Sequence, residues 1–351
     1  MDKKIKMGQE SYDDIILVSS DSSNEDVQMP SKVIEEIETQ LKNNDNAVSN
    51  TKLLINEENF LEKIEPKYKN LVLSGGSIRG ISQIGAIKRL IDEKLIDLKK
   101  LKSVAGTSAG SLFGMLIVLG LTIDEIWDFI CDLNMKDMVK PDFFMVLKKC
   151  GVETGQIIYN FIEKTLTDHT GVKHINFRQL YEITKIHFIV VGSCLTTKEI
   201  VYCDHINTPN FKVSMAIRIS ISIPGFFTPV EIGNNKYIDG AVLNNYPMNL
   251  FADRLDETIG VLVCNEFDTD YKCVEEYFVA IINLFLHHYY QKTANQYSEN
   301  TIFIKKQFEN INVFNFDVDN KIKKDLYDCG IEASEEFIKR KFSKQIVEGD
   351  F

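Results

Sequence analysis

The segment Leu101–Leu121 constrains the fold more than any other part of the chain. A short apolar run, Leu101 to Ala105, enters Gly106-Thr107-Ser108-Ala109-Gly110, and a helical stretch from Ser108 to Leu121 follows, strongly apolar from Leu112 onward. A buried strand, a sharp turn and a buried helix satisfy that order, and the pattern G-x-S-x-G leaves the serine hydroxyl exposed at the tip of the turn. The small residues flanking Ser108, Gly106 and Gly110 foremost, let backbone approach backbone there. The helix behind the turn aims its free N–H groups and positive dipole end at the same place. Ser108 is therefore a candidate nucleophile.

A second turn of the same kind lies upstream. Asn70 to Leu73 reads as a short buried strand, and Gly80 to Lys94 carries apolar residues at a helical period, at Ile81, Ile84, Ile87, Leu90 and Ile91. Between them stands Gly75-Gly76-Ser77-Ile78-Arg79-Gly80, a glycine-rich turn whose consecutive N–H groups can converge on an anion. The dinucleotide fingerprint G-x-G-x-x-G is not matched, and the Gly-Lys-Ser/Thr of a phosphate loop is absent. The anion that remains is the oxyanion of a tetrahedral acyl intermediate, held by Gly75, Gly76 and Ser77. In a right-handed strand–helix–strand unit both strands end on the same sheet edge, which brings this loop beside Ser108.

A serine hydroxyl is a weak nucleophile and needs a positioned base. Asp239-Gly240-Ala241, after the strand-like Asn235 to Ile238, offers a carboxylate. An aspartate, with a reference pKa of about 3.9 against about 6.5 for histidine, is a poor base in water and a serviceable one in a pocket that excludes it. The six histidines, at 169, 174, 187, 205, 287 and 288, all lie outside these motifs. The pairing expected is Ser108 with Asp239.

The rest of the chain frames these turns. Further strands are expected over Lys185 to Val191, Ile200 to Cys203 and Thr258 to Cys264, and helices over Glu153 to Thr165, Val213 to Ser220, Val274 to Asn295 and Lys321 to Lys341. That alternation implies an α/β fold with a largely parallel sheet and helices on both faces. Residues 1 to 65 read as a polar, acidic leader, mostly disordered. Residues 66 to 345 form the folded domain, with the motifs at 69–250 and C-terminal helices over 272–342. The net charge of −11 argues against a nucleic-acid partner. Seven scattered cysteines without metal-ligand spacing imply free thiols and no bound metal. No secretory signal is present, and Leu112 to Leu121 and Tyr277 to Leu286 are each half the roughly 20 residues a membrane span needs. A cytoplasmic or intracellular location follows, with any membrane contact peripheral. Phe143, Phe144, Met145 and Leu147, flanked by Lys140, Lys148 and Lys149, fit either an interfacial lid or core packing.

In order along residues 69 to 250, Leu73–Gly80, Gly106–Gly110, Ala216–Phe227, Asp239–Ala241 and the run Gly240–Pro247 resemble the patatin-like phospholipase signature. The resemblance implies a three-layer α/β/α fold with a central, mostly parallel sheet. It also implies a Ser108–Asp239 dyad working without histidine, metal or cofactor, and hydrolysis of acyl esters in phospholipids or other lipids. One position departs: Ser77 stands where the family usually has glycine, which a serine replaces at no cost only if its φ is negative. Arg79 either braces the loop or meets a phosphate head group. Two other functions fit the same motifs, an esterase or thioesterase for soluble acyl substrates and a catalytically weak binding protein on the same fold.

Overall fold

The computed structural model describes residues 65–142, 146–264, 296–305 and 318–348, together with residues 277, 280, 281 and 284. The leader expected over residues 1 to 65 lies outside them but for Glu65. So do Phe143–Met145 of the expected lid and most of the helix expected over Val274 to Asn295. The described residues from Pro66 onward fall within one compact unit.

The chain enters through β1 (Asn70–Leu73), turns through a 3-10 segment, Ser77–Ile81, and continues as α1 (Ser82–Asp92) into β2 (Ser103–Thr107) and α2 (Ala109–Val118). These are the two strand–turn–helix units expected from the glycine turns. Next comes α3 (Ile123–Asp132), started by a reciprocal cap in which Thr122 Oγ1 accepts from Glu125 N–H and the Glu125 carboxylate accepts from Thr122 N–H. Strand β3 (Gly151–Glu153) and helix α4 (Gln156–Thr170) precede α5 (Phe177–Thr184), which begins on a matching Asn176–Gln179 cap. There follow β4 (His187–Cys194), β5 (Glu199–Cys203), α6 (Val213–Ser220), β6 (Gly225–Phe227), β7 (Val230–Ile232), β8 (Asn235–Asp239) and β9 (Thr258–Val263). The chain ends through β10 (Thr301–Ile304) and the long helix α7 (Asn320–Glu348).

The strands form a mixed, mostly parallel sheet in the order β10-β9-β1-β2-β4-β8-β7, with β5 also on β4. From β10 to β4 every pairing is parallel; the pairings of β4 with β5, β4 with β8 and β8 with β7 are antiparallel. β1, β2 and β9 are buried along their whole length, as central parallel strands covered on both faces must be. Alternate side chains serve opposite faces. Leu71, Leu73, Val104 and Val261 join the large core shared with α1, α2, α6 and α7. Val72, Ala105, Ile189 and Leu262 pack instead against Tyr246, Met248, Phe251 and Tyr297. The apolar α2 is thus a core helix. No helix among the described residues is long and apolar enough to cross a membrane.

Candidate active site

Strand register alone brings the two expected catalytic residues together. Along β4, His187 to Val191 pair with β2, ending in Thr107 opposite Val191. The next residue, Gly192, pairs with Asp239 at the end of β8. Residues 190 and 191 pair with both β2 and β5, and residues 192–194 pair with both β5 and β8. Strands β2 and β8 therefore lie on the same edge of β4 and meet tip to tip. Ser108 leaves one tip and Asp239 ends the other. Ser108 Oγ donates to Asp239 Oδ2 at 2.8 Å.

Ser108 stands at φ 52°, ψ −123°, as the residue that caps α2. A non-glycine residue in that region costs on the order of 1–3 kcal/mol and persists only where its surroundings hold it. Here its carbonyl accepts from Ser111 Oγ at 2.6 Å and Ser111 N–H at 2.9 Å, and its N–H donates to Ser220 Oγ at 2.8 Å. The elbow is closed by contact as well: a methyl group on Gly110 would lie 2.5 Å from Leu73 O. Ser108 itself is only 5% exposed.

Asp239 is more deeply set, at 2% exposure. Its Oδ1 accepts from Ala241 N–H at 2.8 Å, and its own N–H donates to Ser222 O at 2.9 Å. Burial pushes its carboxyl up to about 7, against the opposing pull of the Ala241 and Ser108 hydrogen bonds. This is the condition under which an aspartate can take a proton near neutral pH. The described histidines do not compete. His187 pairs with Ser103 at the far end of β2, about 13 Å of strand from Val191.

The glycine-rich turn lies where expected. A methyl on Gly75 would stand 3.2 Å from Ser108 Cβ and 2.4 Å from Asn245 Oδ1, so the turn runs close against both side chains. Its three expected N–H donors differ, however. Gly75 N–H donates to Asn245 O at 3.2 Å and is engaged inside the protein, because the Gly240–Pro247 run folds back against the turn. Gly76 N–H meets no acceptor among the described residues. Ser77 adopts φ 50°, the left-handed region, so the departure from glycine carries a backbone cost of about 1–2 kcal/mol. Burial lowers the pKa of Arg79, with the neighbouring Cys264 thiol acting in the opposite sense. Gly80 packs on the elbow, its Cα facing Ala109.

Several residues that shape the site were not singled out in the sequence. Ser220, Ser222 and Asn245 hold the backbone of Ser108, Asp239 and Gly75, and Thr107 Oγ1 donates to Asn244 O at 3.1 Å. The signal available was their polarity within apolar surroundings, in Ile219-Ser220-Ile221-Ser222-Ile223 above all.

A mostly parallel sheet with a serine elbow and a buried carboxylate beside it narrows the class to α/β hydrolytic enzymes. The family model of the patatin-like phospholipases matches residues 71–252, just over half of the chain. The chain belongs to that family and is a hydrolase acting on lipid esters. Protein R571 of Acanthamoeba polyphaga mimivirus is 30% identical over 282 residues, covering 77% of this chain and 93% of that protein. The probable lipid hydrolase 463L of invertebrate iridescent virus 6 is 29% identical over 195 residues, 53% of this chain and 64% of that protein. Among solved structures, VipD from Legionella pneumophila is similar with a TM-score of 0.47 at 17% identity, over 78% of this chain and 67% of that one.

Proposed function

We propose that the chain cleaves ester-linked acyl chains of phospholipids or related lipids through a Ser108–Asp239 dyad and an acyl-enzyme. The observation that carries this reading is the 2.8 Å hydrogen bond from Ser108 Oγ to a buried carboxylate whose pKa is lifted to about 7. As Oγ bonds to the ester carbonyl carbon, its proton passes to Asp239 and the carbonyl electron pair moves to oxygen. The oxyanion rests on the turn after β1, with the Gly76 amide first and Ser77 next along it; one such donor is typically worth about 3 kcal/mol. Collapse expels the alcohol, which takes the proton from Asp239. A water then repeats the sequence with Asp239 as base and releases the fatty acid.

Leu243, four residues past Asp239, is 40% exposed. An exposed apolar side chain so near the carboxylate in sequence suits a substrate presented at a lipid surface, approached peripherally. The test is hydrolysis of phosphatidylcholine liposomes beside that of a short-chain p-nitrophenyl ester, for the wild type and Ser108→Ala. Release of fatty acid from liposomes that Ser108→Ala abolishes supports the reading. Turnover of the short ester alone moves the substrate to soluble acyl compounds. Equal turnover by both proteins removes the dyad.

A further inference from the structure

Both members of the pair hang by their main chain from one short segment. Ser220, at the end of α6, is fully buried and accepts the Ser108 N–H at 2.8 Å. Two residues on, the Ser222 carbonyl accepts the Asp239 N–H at 2.9 Å. The Ser222 hydroxyl is in turn locked to Arg218: it donates to Arg218 O at 2.7 Å and accepts from the Arg218 guanidinium. Arg218, 4% exposed, also donates to Thr154 O at 2.5 Å and Thr228 O at 3.2 Å, so the segment is anchored to the small β3–β6 sheet.

The Ser220 contact bears on chemistry in a way ordinary packing does not. An N–H at a nucleophile elbow could turn toward solvent and the substrate; here it points inward and is spent on a side chain. That bond fixes the peptide plane entering Ser108, and with it the direction of the Cα–Cβ bond and the distance from Oγ to Asp239. The register of β2 and β8 on β4 sets where the two residues are. The bonds to Ser220 and Ser222 set how they are turned.

We propose that Ser220 is a positioning residue of the acyl-transfer step, holding Ser108 Oγ in line with Asp239 through the Ser108 N–H. The inference rests on the dyad reading above. Misalignment of a nucleophile on the ångström scale costs roughly 100-fold in rate, while ground-state binding of the substrate is untouched. A residue of purely structural worth would alter stability without a loss confined to kcat, or binding and turnover together.

The experiment compares wild type, Ser108→Ala, Ser220→Ala and Ser220→Cys for turnover of a p-nitrophenyl ester, rate of labelling by a fluorophosphonate, and thermal unfolding. Cysteine keeps the shape of serine and replaces the hydroxyl by a poor acceptor, so it decides the matter should the alanine variant not fold. The expected result is a roughly 10- to 100-fold fall in kcat and in labelling rate for both Ser220 variants, with KM within about twofold and the melting temperature lowered by a few degrees, because the buried Ser108 N–H loses its acceptor. A folded Ser220→Cys protein that labels and turns over as the wild type does overturns the proposal, and so does a loss carried by KM. A wild type that labels no faster than Ser108→Ala removes the dyad reading and the role of Ser220 with it, an outcome distinct from a failure confined to the Ser220 variants.

Discussion

Thr107 and Asp239 stand opposite consecutive residues on the same edge of β4, Val191 and Gly192, although one ends β2 and the other ends β8. Because the residue after Thr107 is Ser108, the hydroxyl and the carboxylate are set within hydrogen-bond reach by the ladder of the sheet. Sites held on strands and helix ends keep a tighter geometry than sites on loops. The pair is also tied to its surroundings: the Asp239 carboxylate accepts from Ala241 N–H, the Asp239 N–H donates to Ser222 O, and the Ser108 N–H donates to Ser220 Oγ.

On the proposed dyad, the Asp239 carboxyl, pushed up to about 7 by burial, must be ionised to take the serine proton. The expected pH profile of kcat/KM therefore rises with an inflection near 7 and loses about tenfold per unit well below it. Initial rates on a p-nitrophenyl ester between pH 5 and 9 measure this. An inflection near 4 would mean that Asp239 titrates as an ordinary exposed carboxylate.

The same shift has a sign for stability. Below an ordinary value of 3.8 the carboxyl is protonated both folded and unfolded and costs nothing. As pH rises toward 7 the unfolded chain ionises and the folded one does not, so stability contributed by this group is lost progressively and is gone above about 7. The full cost is at most about 4 kcal/mol from the size of the shift. Asp239→Asn keeps an acceptor for the Ala241 N–H and removes the ionisation. Urea unfolding is expected to find it more stable than the wild type at pH 8 by a few kcal/mol at most, with the difference vanishing near pH 4.

Gly75 is a position where a single methyl group collides with the site. In Gly75→Ala the added carbon meets Asn245 Oδ1 at 2.4 Å and Ser108 Cβ at 3.2 Å, so the Asn245 side chain must swing away and Ser108 or the turn must give by a few tenths of an ångström. The expected loss in kcat is roughly 100-fold, the scale of a displaced nucleophile or oxyanion donor, with a cost in stability of about 1–3 kcal/mol. Steady-state kinetics and denaturant unfolding of the one variant measure both.

At Ser77 the backbone, not the side chain, carries the cost. Its φ of 50° suits glycine, so Ser77→Gly is expected to retain turnover, and its relief of about 1–2 kcal/mol is partly offset by the greater freedom of glycine in the unfolded chain. Ser77→Val, β-branched in the left-handed region, is expected to lose both stability and rate. Parallel melting curves and rates distinguish the two variants.

How much of this was legible in the amino-acid order depends on the range of the forces involved. The two strand–turn–helix units were readable because Leu73 to Gly80 and Leu101 to Gly110 carry both a change of apolar period and small residues at the turn, which are local signals. The helix over Val213–Ser220 was readable for the same reason. Helices α3 and α5 lie outside the expected set: they are short, 10 and 8 residues, and the Thr122–Glu125 and Asn176–Gln179 caps that start them are weak signals beside the long apolar runs. The antiparallel side of the sheet was not legible. Whether Asn235–Asp239 pairs with β4, and in which direction, is set by contacts far apart in sequence. Likewise, nothing local told that Gly75 N–H would be taken by Asn245, or that Ser220 would reach the nucleophile.

The central claim is that Asp239 activates Ser108, and covalent capture of the nucleophile tests it most directly. After brief exposure to a fluorophosphonate at pH 8, peptide mass spectrometry of the wild type is expected to place the adduct on Ser108. The same treatment of Asp239→Asn is expected to label that residue at least about 1,000-fold more slowly, the scale of losing a dyad partner. An adduct on another serine, or equal labelling of Ser108 in the two proteins, would contradict the account.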